Sequence, residues 1–264
     1  MWLSAISDEI SPDLDEALRV CERLGIQAVE LRTIGGRNLV HQDLATVRRT
    51  RKALAAGGFS CPAIDTPFLK TLLSEAAWPD LRRGFELATL MGAPLVRIFS
   101  GLRSTAGTDR VTDILAEALA LAARHNGISL ALEIEHVCTI ATGAQARKLL
   151  SDARLAGLGL VWDPGNEAHL LGRRPDPEPI GALRGAIRHV HVKDADPTGA
   201  WVRVGAGVVN WPTQLRRLDA IGYDGYLSME THYELPGPAG AADATIESVA
   251  ALRALAGGVG IELT

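Results

Sequence analysis

Apolar residues along this chain follow two alternating patterns. Short apolar runs, such as residues 2–6, are typical of buried strands. Each run precedes a longer segment in which apolar residues recur every three or four positions, as on one face of a helix. Ser11-Pro12-Asp13 predicts the start of the first helix, and Gly25 predicts its end. The alternation continues along the whole chain without a low-complexity linker.

The two patterns together predict eight strand–helix units. Strict alternation predicts a parallel sheet with helices outside, and eight units in 264 residues favour a closed barrel over an open doubly wound sheet. No GxGxxG motif follows the first strand, which also speaks against a dinucleotide-binding fold. The predicted fold class is therefore α/β, a single (β/α)8 TIM barrel domain over residues 1–264. The predicted strands are residues 2–6, 27–32, 59–64, 95–99, 128–133, 158–162, 188–194 and 225–230, and the predicted helices are residues 13–25, 44–56, 74–91, 108–125, 142–153, 179–186, 212–221 and 241–256.

The predicted seventh strand carries polar side chains on one face. In Arg188-His-Val-His-Val-Lys-Asp194, His189, His191 and Lys193 share a face because strand side chains alternate, and the two valines take the other face. Two imidazoles and an ammonium group pointing into a barrel are costly to bury unless they serve a site. We therefore expect the chemistry of the protein at this strand.

Three further strands end in an acidic residue after a short apolar run. These acids are Glu133, Asp163 and Glu230, and the carboxyl ends of the strands are where such barrels build their active sites. Taken singly, each acid could instead cap a helix or face water. Three inward carboxylates would repel one another, and a divalent cation removes that conflict. With His191 as fourth ligand, the set predicts one divalent metal ion: Mn²⁺, Mg²⁺, Co²⁺ or Zn²⁺.

Composition excludes several other classes of protein. The formal net charge of −4 gives no general attraction for nucleic acid or an anionic membrane, and no apolar run is long enough for a membrane span. The acidic N-terminal segment lacks the basic residues of a signal peptide, and three cysteines without CxxC spacing do not predict a disulfide framework. We expect a cytoplasmic protein that acts on a small molecule and forms, at most, a homo-oligomer.

The strand-end motifs resemble those of the xylose isomerase-like TIM barrel superfamily over essentially the whole chain. They are Leu-Glu133, Asp163-Pro-Gly-Asn166, His189-Val-His-Val-Lys-Asp194 and Met-Glu230. The superfamily includes sugar and sugar-phosphate isomerases and epimerases, hydroxypyruvate isomerase, inosose dehydratase and endonuclease IV. The resemblance assigns the metal histidine to His191, the second of the pair. Asn166 stands where many relatives carry a histidine, and Pro197 stands where ketohexose epimerases carry an arginine, which weakens an assignment as a free-ketohexose epimerase.

The predicted site suits proton transfer next to a carbonyl. The leading hypothesis is a metal-dependent sugar or sugar-phosphate isomerase or epimerase of carbohydrate metabolism, in which the cation stabilises an enediolate. Glu133 and Glu230, from strands five and eight, are the predicted catalytic acid–base pair. The alternatives are an inosose dehydratase-like lyase, an endonuclease IV-like DNA repair enzyme, and a non-catalytic barrel that binds a metal or sugar. The DNA repair enzyme is disfavoured because the chain has only seven histidines and a net negative charge.

Further polar residues are expected on the substrate side of the site. Lys193 would hold a substrate oxygen or anionic group, or else pair with Asp194 in solvent. Arg97 would contact substrate or form an ion pair with Glu30 inside the barrel, and His189 would lie deeper, as support or filler. Surface positions are expected for Glu135 and His136, and rim positions for His232 and Tyr233. The predicted substrate-binding residues are Arg97, Asn166, His189 and Lys193.

Overall fold

Eight parallel strands form one sheet that wraps into a barrel in the computed structural model, which describes residues 1–103, 108–235 and 240–264. The strands pair in the order β2-β1-β8-β7-β6-β5-β4-β3, and backbone bridges join Ala28 to Ser60 and Leu31 to Ile64, so β2 and β3 close the ring. The predicted (β/α)8 TIM barrel is confirmed. The strands are β1 Trp2–Ile6, β2 Val29–Glu30, β3 Ile64–Asp65, β4 Leu95–Ile98, β5 Ser129–Glu133, β6 Gly159–Trp162, β7 Ile187–Val192 and β8 Tyr226–Met229.

The helices pack outside the barrel and begin and end where the sequence carries capping residues. In α1, Asp13 accepts a hydrogen bond from the backbone N–H of Glu16, and Gly25 ends the helix in the left-handed conformation. The apolar face of α1 is buried against the sheet, as its periodicity predicts. The helices are α1 Leu14–Leu24, α2 Leu44–Gly57, α3 Trp78–Met91, α4 Thr108–Ala122, α5 Gly143–Leu149, α6 Pro164–Leu171, α7 Pro179–Ala182, α8 Trp211–Ala220 and α9 Ala241–Gly257.

Three features of the fold differ from the predicted elements. The third strand is Ile64–Asp65, so it ends one residue later than predicted and places an acid at the carboxyl end of the barrel. Helix α6 follows β6 directly, because Asp163 caps it and Pro164 suits its first position. The loops after β2 and β7 each contain a short antiparallel hairpin. In the first, Thr33–Ile34 pairs with Arg37–Asn38, and in the second, Asp194–Ala195 pairs with Trp201–Val202. Hairpins this short carry too few alternating positions to be visible in the sequence.

The inside of the barrel divides into an apolar layer and a charged layer. Ala63, Leu95, Ala131 and Val161 form a small buried cluster separate from the main core between sheet and helices. Since side chains two positions apart on a strand share a face, the residues two positions further along β3 to β6 also point inward. Those residues are Asp65, Arg97, Glu133 and Asp163, all buried. The apolar layer therefore forms the floor of a charged site. None of the helices within residues 1–103, 108–235 and 240–264 combines the length and the hydropathy that a membrane span requires.

Candidate functional site

The imidazole of His191 lies among four acidic side chains at the carboxyl end of the barrel. Its Nε2 is 3.1 Å from Glu30 Oε1, which orients the ring. Its Nδ1 faces the other three acids, 3.1 Å from Glu230 Oε2, 3.3 Å from Glu133 Oε1 and 3.7 Å from Asp163 Oδ2. A nitrogen directed at three carboxylates indicates that a positive charge belongs between them.

One ligand atom from each of Glu133, Asp163, His191 and Glu230 lies within 4.8 Å of the others. Glu133 ends β5, whereas Asp163 and Glu230 directly follow β6 and β8, so parallel strands bring the acids to one end of the barrel. Three carboxylate oxygens and one imidazole nitrogen form a donor set that suits a divalent cation. The residues present therefore fit one such ion, and their role as its ligands stays a prediction.

The electrostatic field at the four side chains favours positive charge. Burial would lower the pKa of His191, but Glu30, Glu133 and Glu230 raise it well above its ordinary value. Burial would raise the pKa of Glu230, yet Lys193, His232 and His191 hold it well below the usual range. Burial likewise opposes the ionisation of Glu133, whose pKa is nevertheless lowered by His191 and Arg97. Both glutamates are therefore carboxylates at neutral pH.

Lys193 is buried in the site rather than solvated. Its side chain enters beside the acids, with Nζ 2.8 Å from Asp163 Oδ2 and in contact with Glu230 Oε2. The residue is 1% exposed, so the alternative of a solvent-facing lysine paired with Asp194 is wrong. Gly165 makes room for it, since a Cβ there would lie 2.3 Å from Lys193 Cγ. The glycine of the Asp-Pro-Gly-Asn motif thus has a packing role.

Arg97 points inward from β4, as predicted, and contacts two acids. Its Nη2 lies 2.9 Å from Asp65 Oδ2 and its Nε lies 3.1 Å from Glu133 Oε2. The alternative of an Arg97–Glu30 ion pair is wrong, because Glu30 instead contacts His189 Nε2 at 2.8 Å. His189 therefore lies below the four proposed ligands and supports Glu30. Burial, together with the nearby Glu30 carboxylate, raises the pKa of Asp65 well above its usual value, although Arg97 opposes that shift.

A cluster around Glu230 was largely missed by sequence reasoning. The Arg32 guanidinium group contacts three acids. Its Nη1 lies 2.9 Å from Glu230 Oε1, its Nη2 lies 2.9 Å from Asp8 Oδ2, and Nη2 also contacts Glu9. His232, expected at the rim, lies with Nε2 3.2 Å from Glu230 Oε1. Their positions in the sequence could have indicated these residues. Asp8 and Glu9 follow β1 and Arg32 follows β2, so all three lie at the carboxyl end of the barrel, where the site is.

Asn166 links two of the proposed ligands. Its Nδ2 donates to Asp163 Oδ2 at 2.9 Å and to Glu133 Oε1 at 3.2 Å, and its backbone N–H donates to Asp163 Oδ1 at 2.8 Å. Its Oδ1 lies 3.0 Å from His136 Nδ1. The surface position expected for Glu135 is wrong, since it is 3% exposed and contacts Lys70 Nζ at 2.8 Å and His136 Nδ1 at 2.7 Å.

Four aromatic rings, called here the aromatic cover, cluster beside the polar site: His136, His169, Trp201 and His232. His169 stacks on the Trp201 indole, with centroids 4.3 Å apart and planes at 5°, and His136 packs edge-on against His169 at 4.4 Å. The ring of His232 lies 5.1 Å from the indole. Trp201 belongs to the hairpin after β7, which the sequence did not predict. Tyr233 instead donates its hydroxyl to the carbonyl of Ala244 in α9.

A family model described as a xylose isomerase-like TIM barrel matches residues 18–255 of the chain. The chain belongs to this family. The match includes all four proposed ligands, so the resemblance predicted from the strand-end motifs is confirmed. A comparison of this xylose isomerase-like barrel with curated protein sequences finds no match.

Solved structures share the fold of this xylose isomerase-like barrel at low sequence identity. The zinc-bound crystal structure of the IolI protein has a TM-score of 0.78 at 19% identity, covering 98% of this chain and 99% of that one. The 3-keto-D-glucoside 4-epimerase YcjR from E. coli has a TM-score of 0.70 at 19% identity, covering 96% and 98%. A fusion of a xylose isomerase-like barrel with 4-hydroxyphenylpyruvate dioxygenase has a TM-score of 0.78 at 21% identity; 98% of this chain is covered, and the chain spans 43% of the fusion's length.

Proposed function

We propose that this protein is a divalent-metal-dependent isomerase or epimerase of a sugar or related polyol that works by proton transfer next to a carbonyl. The observation that carries the proposal is the convergence of Glu133, Asp163, His191 and Glu230, whose ligand atoms lie within 4.8 Å of one another. Membership of the xylose isomerase-like family supports it, as does the fold shared with a zinc-bound protein and an epimerase.

The two glutamates are placed to act as acid and base on one carbon. A cation held by the four side chains would polarise a substrate carbonyl and acidify the neighbouring C–H bond. Glu133 and Glu230 come from β5 and β8, with β6 and β7 between them, so they approach a substrate from different sides. Both are carboxylates at neutral pH, the form that a proton acceptor needs. One would remove the proton and the other would return it.

The cationic neighbours would orient the carboxylates and the substrate. Arg97 contacts Glu133 Oε2 and leaves Oε1 toward His191, while Arg32 and His232 contact Glu230 Oε1 and leave Oε2 toward Lys193. Each acid thus keeps one oxygen on the side of the proposed cation. Lys193 Nζ, already beside these oxygens, would hold a substrate oxygen.

Proton transfer is favoured over a hydride shift by the charges around Glu230. A hydride shift of the xylose isomerase type uses a second metal ion, and Glu9, Glu230 and His232 form a second group close enough to hold one. Arg32 contacts both Glu9 and Glu230, so a guanidinium group already supplies the positive charge there. A second metal ion at that position would have to compete with this guanidinium group for the Glu9 and Glu230 carboxylates.

A dehydratase is the second candidate function. A dehydration removes a proton from one carbon and a hydroxyl group from the next carbon, so it also requires a proton donor beside the leaving hydroxyl, which departs as water. The Lys193 ammonium contacts Glu230 and is buried, which would place such a donor beside the base. Appearance of an unsaturated product with release of water would identify this reaction, whereas an isomer of unchanged mass would identify the leading one.

The test is turnover of a ketose and polyol-ketone panel by Mn²⁺-loaded protein in heavy water. Glu133→Gln and Glu230→Gln each keep a ligand oxygen but lose the base, so turnover is expected to fall by roughly 10²–10⁴-fold with a smaller loss of metal occupancy. Solvent deuterium is expected at the reacting carbon. Product without deuterium would refute proton transfer, and full activity of either variant would refute the assigned pair.

A further inference from the structure

The side-chain amide of Asn166 is fully used inside the protein. Its Nδ2 donates to Asp163 Oδ2 at 2.9 Å, to the Ile134 carbonyl at 3.0 Å and to Glu133 Oε1 at 3.2 Å. Because carboxylate and carbonyl oxygens accept hydrogen bonds, the amide nitrogen must face them and Oδ1 must face away. Asn166 is completely buried, and three acceptors already share its two amide hydrogens. The amide therefore orients two of the proposed metal ligands.

His136 supplies the hydrogen-bond donor for the other end of this amide. Its Nδ1 lies 3.0 Å from Asn166 Oδ1 and 2.7 Å from Glu135 Oε1. Both of these oxygens are acceptors, so Nδ1 carries a hydrogen whether the imidazole ring is neutral or charged. The contact with Asn166 thus depends on the position of the ring and not on its protonation state.

Contacts to its backbone, its ring nitrogen and its ring hold His136 in this position. Arg103 Nη2 donates to the His136 carbonyl at 2.7 Å. Glu135, which accepts from Nδ1, is itself anchored by Lys70 Nζ at 2.8 Å. The ring also packs edge-on against the ring of His169, with centroids 4.4 Å apart. A ring held in these three ways has little freedom to turn, so it keeps the Asn166 amide in one orientation.

We propose that His136 is a positioning residue of the metal site, which fixes the Asn166 amide and thereby the directions of the Glu133 and Asp163 carboxylates. The inference rests on the proposed function, because it concerns the proposed ligands of the same site. Groups that hydrogen-bond to a metal ligand typically contribute about 10–100-fold in metal affinity. Asn166 is such a group, and His136 acts one contact further away. In this assignment Asn166, predicted as a substrate-binding residue, instead orients two ligands.

The test compares two substitutions that imitate different nitrogens of the His136 ring. Asparagine carries its amide nitrogen at the position of Nδ1, whereas glutamine carries it one bond further out, near the position of Nε2. Chelator-treated protein is titrated with Mn²⁺, and free Mn²⁺ is followed by electron paramagnetic resonance. His136→Gln is expected to weaken Mn²⁺ binding about three- to tenfold, and Asn166→Ala about 10–100-fold. His136→Asn is expected to stay within about twofold of the parent.

A double variant shows whether His136 acts through Asn166. Once Asn166→Ala has removed the amide, adding His136→Gln is expected to cost less than about a further twofold. The matched control is His125→Gln, because His125 lies before β5, at the opposite end of that strand, where its ring stacks on Phe85 at 4.6 Å. This control is expected to bind Mn²⁺ as the parent does. The His136 side chain is 25% exposed, so its variants are expected to fold, as circular dichroism would show.

Three results of the Mn²⁺ titrations would overturn the inference: parent affinity in His136→Gln, equal losses in His136→Asn and His136→Gln, or additive losses in the double variant. A raised KM with unchanged Mn²⁺ affinity would also overturn it, because it would indicate a contact with substrate. If the variants lose Mn²⁺ affinity as expected but the parent turns over no ketose or polyol ketone, the proposed function fails and the inference stands. Turnover by the parent together with unchanged Mn²⁺ binding in His136→Gln would do the reverse.

Discussion

Replacing His191 with alanine is expected to cost metal affinity far more than replacing His189 with alanine. His191 Nδ1 has carboxylate oxygens of Glu230 and Glu133 at 3.1 Å and 3.3 Å. His189 Nε2, in contrast, contacts Glu30 at 2.8 Å. The first substitution removes one of four proposed ligands, and the second removes one of two imidazoles that contact Glu30.

The size of the two losses follows from how far each ring lies from the proposed cation. Groups that orient a metal ligand typically contribute about 10–100-fold in affinity. Glu30 is such a group, because its Oε1 lies 3.1 Å from His191 Nε2. His189 acts one contact further away, so its loss is expected to cost about tenfold or less, near 1.4 kcal/mol. Loss of His191 is expected to exceed about 100-fold, near 2.8 kcal/mol.

The assay is titration of chelator-treated protein with Mn²⁺ at neutral pH, with free Mn²⁺ followed by electron paramagnetic resonance. Glu30→Gln serves as the intermediate case, with an expected loss between those of the two histidine variants. Circular dichroism shows whether each variant keeps the parent fold. Equal losses for the two histidines, or a larger loss for His189→Ala, would refute the assignment of His191 as the ligand.

Three further results are expected from perturbing the same site. Gly165→Ala should weaken Mn²⁺ binding, because its Cβ would lie 2.3 Å from Lys193 Cγ; unchanged affinity in the titration would contradict this. Mn²⁺ at about 100 times its Kd should raise the free energy of unfolding by about 2.7 kcal/mol and the Tm by at least about 5 °C in calorimetry, and no rise would count against a metal site. Burial lowers the pKa of His232, but Glu230 raises it, and the net value is about 9 against the ordinary 6.5. In the metal-free protein, the contribution of the His232 imidazolium to the free energy of unfolding should therefore be complete below pH 6.5 and lost as the pH rises through about 9. Urea titrations of His232→Gln should show no such loss of stability over this pH range.

The barrel and the four proposed ligands could be predicted because they depend on local periodicity. Apolar runs and helical stripes repeat along the chain. An acid or histidine at the carboxyl end of a parallel strand must lie at the same end of the closed barrel as the others. The convergence of Glu133, Asp163, His191 and Glu230 at one end of the barrel was predictable for this reason. Asp65 was missed because the third strand ends one residue later than its apolar run indicates.

The partners of these residues depended on contacts that are distant in the sequence. Arg32 and Glu230 are 198 positions apart, and His191 and Glu30 are 161 apart, so no spacing rule connects them. Lys193 illustrates the same limit, because alternation placed it inward but its burial depends on Gly165 and the neighbouring helix α6. Trp201 joined the site through a hairpin too short to show a pattern.

The amino-acid sequence alone thus determined the (β/α)8 fold, the xylose isomerase-like family and the residue types at the strand ends. The pairing of the charges in the site and the aromatic cover were decided by the tertiary structure. The physical reason is that periodicity reports which face of a strand or helix is buried, whereas a pKa, an ion pair or a stacked ring depends on side chains that only the closed barrel brings together.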